Sequence, residues 1–157
     1  MNQTVDTPSK KLPTHAHVDG SEAELYAQHV SDKLSRFDGI LTETDYDQLV
    51  ISAGDTKLQF QDDLPYPFKV NPYFKEWVPL HRAGSFVVIE KGQSQVHLFL
   101  LCVEDIWHTA PESLPLGFEA SLRITEYESL EQLKGLLSNS ANIAFVGETN
   151  TLELPPE

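Results

Sequence analysis

Few side chains in this chain have types and spacing that could do chemistry. Asp62 and Asp63 stand side by side at the head of the run Asp62-Asp63-Leu64-Pro65-Tyr66-Pro67-Phe68-Lys69-Val70-Asn71-Pro72. The prolines behind these two carboxylates determine how they are presented. Each proline lacks an N–H, fixes its own φ and pushes the preceding residue out of the helical region. The run therefore reads as a stiff, extended loop, neither helix nor central strand. Such a loop loses little conformational freedom when its carboxylate binds something. The competing reading is a plain surface connector, with aromatics packed down and carboxylates in water. On that side of the balance, Tyr66 and Phe68 read as loop-packing aromatics rather than substrate contacts.

The remaining candidates are weaker. His15-Ala16-His17 has ligand-like residue types but sits in a polar leader without a third ligand. His81, His97 and His108 are single, and His97 falls in an apolar run where a satisfied structural histidine is expected. Cys102 is the only cysteine and closes the apolar stretch from Val96 to Val103, so it reads as a buried, inert thiol. One cysteine excludes a disulfide framework and a cysteine-based metal site. Glu128 and Glu131 read as a solvated helix face. Gly92, Gly117 and Gly135 are isolated, so no phosphate loop is present, and neither G-x-S-x-G nor H-E-x-x-H occurs. No catalytic constellation and no metal or other cofactor is expected in this chain.

The elements that must position these residues follow from periodicity. Ser21-Glu22-Ala23-Glu24 fits a capping box, and Tyr26, Val30, Leu34, Phe37, Leu41 and Thr44 follow on one helical face. The spacing predicts a long helix to about Asp45, running through Gly39. Gln48–Ser52 reads as an interior strand, and Asp55 as the cap of a short helix to Phe60. Ser85–Glu90 and Gln95–Cys102 flank a glycine-containing turn and predict a β-hairpin. Glu104 to Gly117 reads as irregular. Leu122–Glu126 alternates as a strand, Ser129 caps a helix carrying Leu130, Leu133, Leu136 and Leu137, and Asn142–Gly147 reads as a closing buried strand. Together these predict a single α/β domain, a mixed β-sheet flanked by helices. Residues 1–20 read as a disordered leader, 21–150 as the domain, and 151–157, ending Leu-Pro-Pro-Glu, as the start of a linker.

Composition narrows the partners. At 157 residues, one domain is expected. The net charge of −13 and pI near 4.7 argue against nucleic acid and against anionic membrane surfaces. Simple solubility is the plainer account of this acidity than a cationic partner. No apolar stretch approaches a membrane span, and the first twenty residues lack the apolar core of a signal peptide, so the cytoplasm is the default location.

The proline-braced run, continued by Phe74-Lys75 and Trp77-Val78-Pro79, resembles the N-terminal domain of bacterial Xaa-Pro dipeptidases (prolidases), the creatinase/prolidase N-terminal family that includes the organophosphorus acid anhydrolases. Leu25-Tyr26 with His29 resembles the start of that family's first helix, and Asp105-Ile106-Trp107-His108 resembles the run after its central hairpin. The similarity spans roughly Glu24 to Gly147. It implies an α/β domain without catalytic residues, joined in the same polypeptide to a C-terminal catalytic domain of the pita-bread type. There two Asp, one His and two Glu would hold two Mn²⁺ ions and hydrolyse Xaa-Pro dipeptides. It also implies a homodimer in which this domain makes dimer contacts and lines the substrate pocket of the partner subunit. By that likeness Asp63 contacts the dipeptide substrate across the interface. Trp107 and His108 are placed there too, with Trp107 either covering the partner's site or anchoring the interface. A stand-alone binding or dimerisation module of the same fold, without peptidase activity, is the alternative. An independent small enzyme is disfavoured by the missing constellation.

Overall fold

The computed structural model describes residues 20–61, 64–102, 112–137 and 142–148. Helix α1 (Gly20–Thr44) starts one residue before the expected cap, so Ser21 lies in its first turn rather than at the N-cap. It runs unbroken through Gly39, as its apolar face predicts. Tyr26, Val30, Leu34 and Leu41 are buried and Phe37 packs beside them, whereas Thr44 is exposed and donates its hydroxyl to the Ile40 carbonyl at 2.7 Å. Asp45 ends the helix at φ +63°, a left-handed turn that a short polar residue tolerates.

Five strands follow: β1 (Gln48–Ser52), β2 (Phe86–Glu90), β3 (Val96–Leu101), β4 (Leu122–Tyr127) and β5 (Ile143–Val146). They form one mixed sheet in the order β4-β3-β2-β1-β5, with β1–β2 and β2–β3 antiparallel and β3–β4 and β1–β5 parallel. The predicted hairpin is β2–β3, and Gly92 in its turn takes φ +77°. Helix α2 (Pro72–Lys75) and a 3₁₀ turn (Phe118–Ser121) were not foreseen. Helix α3 (Leu130–Leu136) is capped as expected, Ser129 Oγ accepting from the Gln132 N–H at 3.2 Å.

Strand alternation sends side chains into two layers. Leu49, Ile51, Val87, Ile89, Val96, Leu98 and Leu100 pack under α1 with Phe74, Trp77 and Leu80. Val50, Phe86, Val88, Phe99 and Tyr127 face the other way, under Leu133 and Leu137. The mixed sheet flanked by helices is therefore the observed architecture. Two expectations fail. Residues Asp55–Phe60 form no helix: the chain there folds into an antiparallel bridge, Leu58 opposite Pro65, which leaves a single cap without a helix to start. Strand β5 lies, among the described residues, at an edge of the sheet with each residue half-buried, where a buried strand was expected.

His97 on β3 is the structural histidine expected. It is 8% exposed, its Nε2 lies 2.8 Å from Thr125 Oγ1, and burial, reinforced by Arg123 on β4, pushes its imidazole down to about 4. Between the ordinary value of 6.5 and about 4, the unfolded chain binds a proton that the native one refuses. Stability is then complete above about pH 6.5 and is lost as pH falls through that window. The loss should reach roughly 2–3 kcal/mol, and His97→Gln should flatten it, as urea unfolding at pH 4.5 and 7 would report.

Candidate functional site

The proline-braced run leaves the sheet at the carboxyl end of β1 and returns at α2. Its base is hydrogen-bonded through the backbone: Ala53 N donates to Ser85 O at 2.8 Å, Gly84 N to Gly54 O at 3.0 Å and Asn71 N to Ala53 O at 2.9 Å. Asn71 does more than close the loop. Its Nδ2 donates to Ser52 O and its Oδ1 accepts from Tyr73 N, each at 3.0 Å, so one side chain ties β1 to the first turn of α2. Pro72 at the first helical position completes that start. Asn-Pro was the sequence signal for α2; the run was expected to be loop as far as Pro72, yet Pro72 is helical.

Beyond the base the chain forms an arm. Tyr66 N donates to Lys57 O at 2.8 Å and Gln59 N to Leu64 O at 2.9 Å. These bonds flank the Leu58–Pro65 pair, so Pro65 occupies a position that needs no donor. Gln61 takes φ +60° at the turn. On one side the arm is braced by an ion pair, Lys57 Nζ to Glu148 Oε2 at 2.6 Å, between residues with no sequence signal linking them. Asp55 beside it has its carboxyl raised above the ordinary range, by burial first and then by Glu148, with Lys57 opposing.

Only part of the arm packs down. Phe68 is half-buried, edge-on to the His81 ring at 5.0 Å, and Val70 is buried. Tyr66, expected to pack, is 56% exposed, and Leu58, Phe60 and Leu64 are 65%, 87% and 61% exposed. Four large apolar side chains on one short arm are more than scattered surface residues would give, and clusters of this kind mark interaction sites. Asp62 and Asp63, between Gln61 and Leu64 in the chain, lie outside the described residues, as do Trp107 and His108, His15 and His17, and segments 1–19 and 149–157. Cys102 is half-buried rather than buried. Among the described residues, no three His, Cys, Asp or Glu side chains come together as metal ligands, and no helix is long and apolar enough to cross a membrane.

Two runs quoted for the resemblance meet in space. Tyr26 donates to the Trp77 carbonyl at 2.8 Å, His29 Nε2 lies 2.8 Å from Glu76 O, and Lys33 pairs with Glu76 at 2.6 Å while lying 4.6 Å from the centre of the Trp77 ring. Lys33 holds the exposed Glu76 carboxyl below its ordinary range, by a hydrogen bond and by charge. Tyr26 also stacks on Phe118 at 4.1 Å. This contact locks α1 to the segment that follows the arm, and its groups are already engaged with one another.

The sheet, the helices that cover it and the arm together define a small mixed-sheet α/β domain. Residues 24–155 match the family described as Xaa-Pro dipeptidase, N-terminal domain, and the chain belongs to that family. An Xaa-Pro dipeptidase of Pseudoalteromonas translucida is 36% identical over 133 residues, covering 80% of this chain and 29% of the relative. One from Escherichia coli O157:H7 is 33% identical over 129 residues, covering 81% and 29%. Among solved structures, a Bacillus anthracis protein assigned as an aminopeptidase P aligns over 78% of this chain and 34% of its own, with a TM-score of 0.54 at 16% identity, which speaks to the fold alone. The chain thus spans 29% of the length of these curated relatives.

Proposed function

We propose that this chain is the non-catalytic N-terminal domain, about residues 21–150, of a cytoplasmic dinuclear-metal Xaa-Pro dipeptidase. In that enzyme it would contribute dimer contacts and a wall of the substrate pocket in the partner subunit. The observation that supports the reading is the arm: hydrogen-bonded at its base, closed by the Leu58–Pro65 bridge, and exposing Leu58, Phe60, Leu64 and Tyr66 to solvent. The two Mn²⁺ ions and the hydrolysis they support belong in this reading to a C-terminal catalytic domain of the same polypeptide. This domain's part is binding and exclusion.

Asp63 follows Gln61 by two residues in the sequence. It would pair with the free α-ammonium of an Xaa-Pro dipeptide, a charge-assisted bond stronger than a neutral one. A longer peptide has no ammonium at that point and meets the arm instead, which limits the enzyme to dipeptides. Trp107 and His108 would line the same pocket, excluding water from it. In a longer enzyme carrying this domain, Asp63→Asn should raise KM for Xaa-Pro dipeptides roughly 10- to 100-fold, because the amide keeps an acceptor but loses the charge that pairs with the ammonium. Steady-state kinetics on a dipeptide series checks this, and unchanged dipeptide kinetics would defeat it.

A further inference from the structure

The face of the sheet that lies under α1 is left partly open over β3 and β4. Register sets Leu98 beside Ile124 and Leu100 beside Glu126, and an apolar cleft of about 440 Å³ lies there, room for several side chains. Leu100 lines it, and Leu116 and Ile124 flank it with their side chains exposed. A single exposed apolar residue is ordinary, but an open cleft built from several marks a place for an occupant. Three carboxylates, Glu112, Glu119 and Glu126, stand on the same lining. Glu112 accepts from the His81 N–H at 2.6 Å and Glu119 from the Gly117 N–H at 2.9 Å, whereas Glu126 joins no ion pair among the described residues. Arg82, the one cation among the described lining residues, is turned to the Leu101 carbonyl. The cleft therefore suits an occupant that is apolar at one residue and cationic beside it.

We propose that this cleft docks the chain's own leader, with Leu12 between Leu116 and Ile124 and with Lys10 and Lys11 beside Glu119 and Glu126. Lys10-Lys11 is the only place in the sequence where two Lys or Arg residues are adjacent, and a leucine and a proline follow directly. The start of α1, to which the leader is joined, already touches the wall of the cleft. Tyr26 stacks on Phe118, and a methyl group placed on Gly117 would come within 3.1 Å of the Ala23 Cβ. Leu12 precedes Gly20 by eight residues, up to about 26 Å of extended chain, and Gly20 lies less than one helical turn from Ala23, so the reach is ample. The tether supplies an effective concentration on the order of millimolar, so contacts too weak to hold a separate partner suffice. Charge decides against the other occupants. The segment leading into Glu112 carries Glu104 and Asp105 and neither Lys nor Arg. A second copy would bring a net charge of −13 against the same carboxylates.

Trypsin cleavage of the Lys11–Leu12 bond tests this, because proteolysis of a segment tracks the fraction of time it spends undocked. A synthetic peptide of residues 1–19 gives the rate with no cleft present. In the 157-residue chain the bond should be cut about 10-fold more slowly than in the peptide, equally at low and high protein concentration. The difference should shrink in about 1 M NaCl, as the ion pairs are screened. Ile124→Glu should return the rate to that of the peptide. Glu126→Lys, an exposed charge exchange that decides the matter if the first variant fails to fold, should return it most of the way. Equal rates in the parent chain and the peptide would overturn the proposal. Protection that survives both variants would place the leader elsewhere, for example against Leu25 and His29 on α1. Protection that rises with protein concentration would place the leader of a second copy in the cleft. Either result also overturns it. No dipeptide is hydrolysed in this readout, so the proposal stands or falls separately from the function proposed above.

Discussion

Trp77→Ala is expected to cost the domain about 3–5 kcal/mol, the range for deleting a large buried aromatic. Trp77 is 1% exposed and meets Phe37 of α1 edge-on at 5.1 Å. Lys33 lies over its ring, and its carbonyl receives the Tyr26 hydroxyl. Removing the indole empties the junction between α1 and the segment after the arm, where the surrounding strands are too well packed to collapse inward. For a domain of this length the thermal midpoint should fall by roughly 10 °C. Far-UV circular dichroism on a urea series is the measurement, since the substitution removes one of the two tryptophan fluorophores. A loss under about 1 kcal/mol would show that the junction tolerates a cavity and that α1 is held elsewhere.

Asn71→Ala should cost about 2–3 kcal/mol, from a lost helix cap and a Ser52 carbonyl left without its partner. Its larger consequence is local. Asn71 is where the arm rejoins the body, so amides of Gln59 and Tyr66, bonded across the arm, should exchange faster than in the parent while β2 is unaffected. Asn71→Asp separates the two roles, because it keeps the acceptor for Tyr73 N and loses the donor to Ser52. It should recover about 1 kcal/mol of the loss. If Asn71→Ala leaves exchange along the arm unchanged, the arm's rigidity comes from its own bridge and not from its base.

Much of the framework was legible in the sequence because period and burial coincide there. The spacing from Tyr26 to Leu41 gave the long helix despite Gly39, and the β-branched runs gave all five strands with their order along the chain. Where those signals conflict with a longer-range bond, the reading failed. Asp55 has the residue type of a helix cap, yet the backbone after it pairs with Leu64 and Tyr66, and a cap confers no helix when the donors that follow are used elsewhere. Tyr66 was expected to pack because aromatics beside prolines do; its position on the outer part of the arm leaves it exposed among the described residues. The Lys57–Glu148 brace joins residues far apart in sequence, and no local pattern announces it. In the arm itself, prolines revealed stiffness but not direction, since direction depends on Ser52, Asn71 and Ser85 meeting at its base. Asn71-Pro72, cap and first-turn proline together, was the one local signal there that could have been used.

The claim that matters most is that the arm serves the neighbouring subunit. It can be tested with a mixed dimer of the longer enzyme, isolated by two different tags. One subunit carries Asp63→Asn with an intact catalytic half; the other carries an intact arm with its metal ligands replaced. If the arm works across the interface, the surviving metal centre meets an unaltered Asp63, and the mixed dimer should show the parental KM for Xaa-Pro dipeptides at about half the parental kcat per dimer. If the mixed dimer instead keeps the raised KM of the Asp63→Asn enzyme, the arm acts within its own subunit and the account is contradicted.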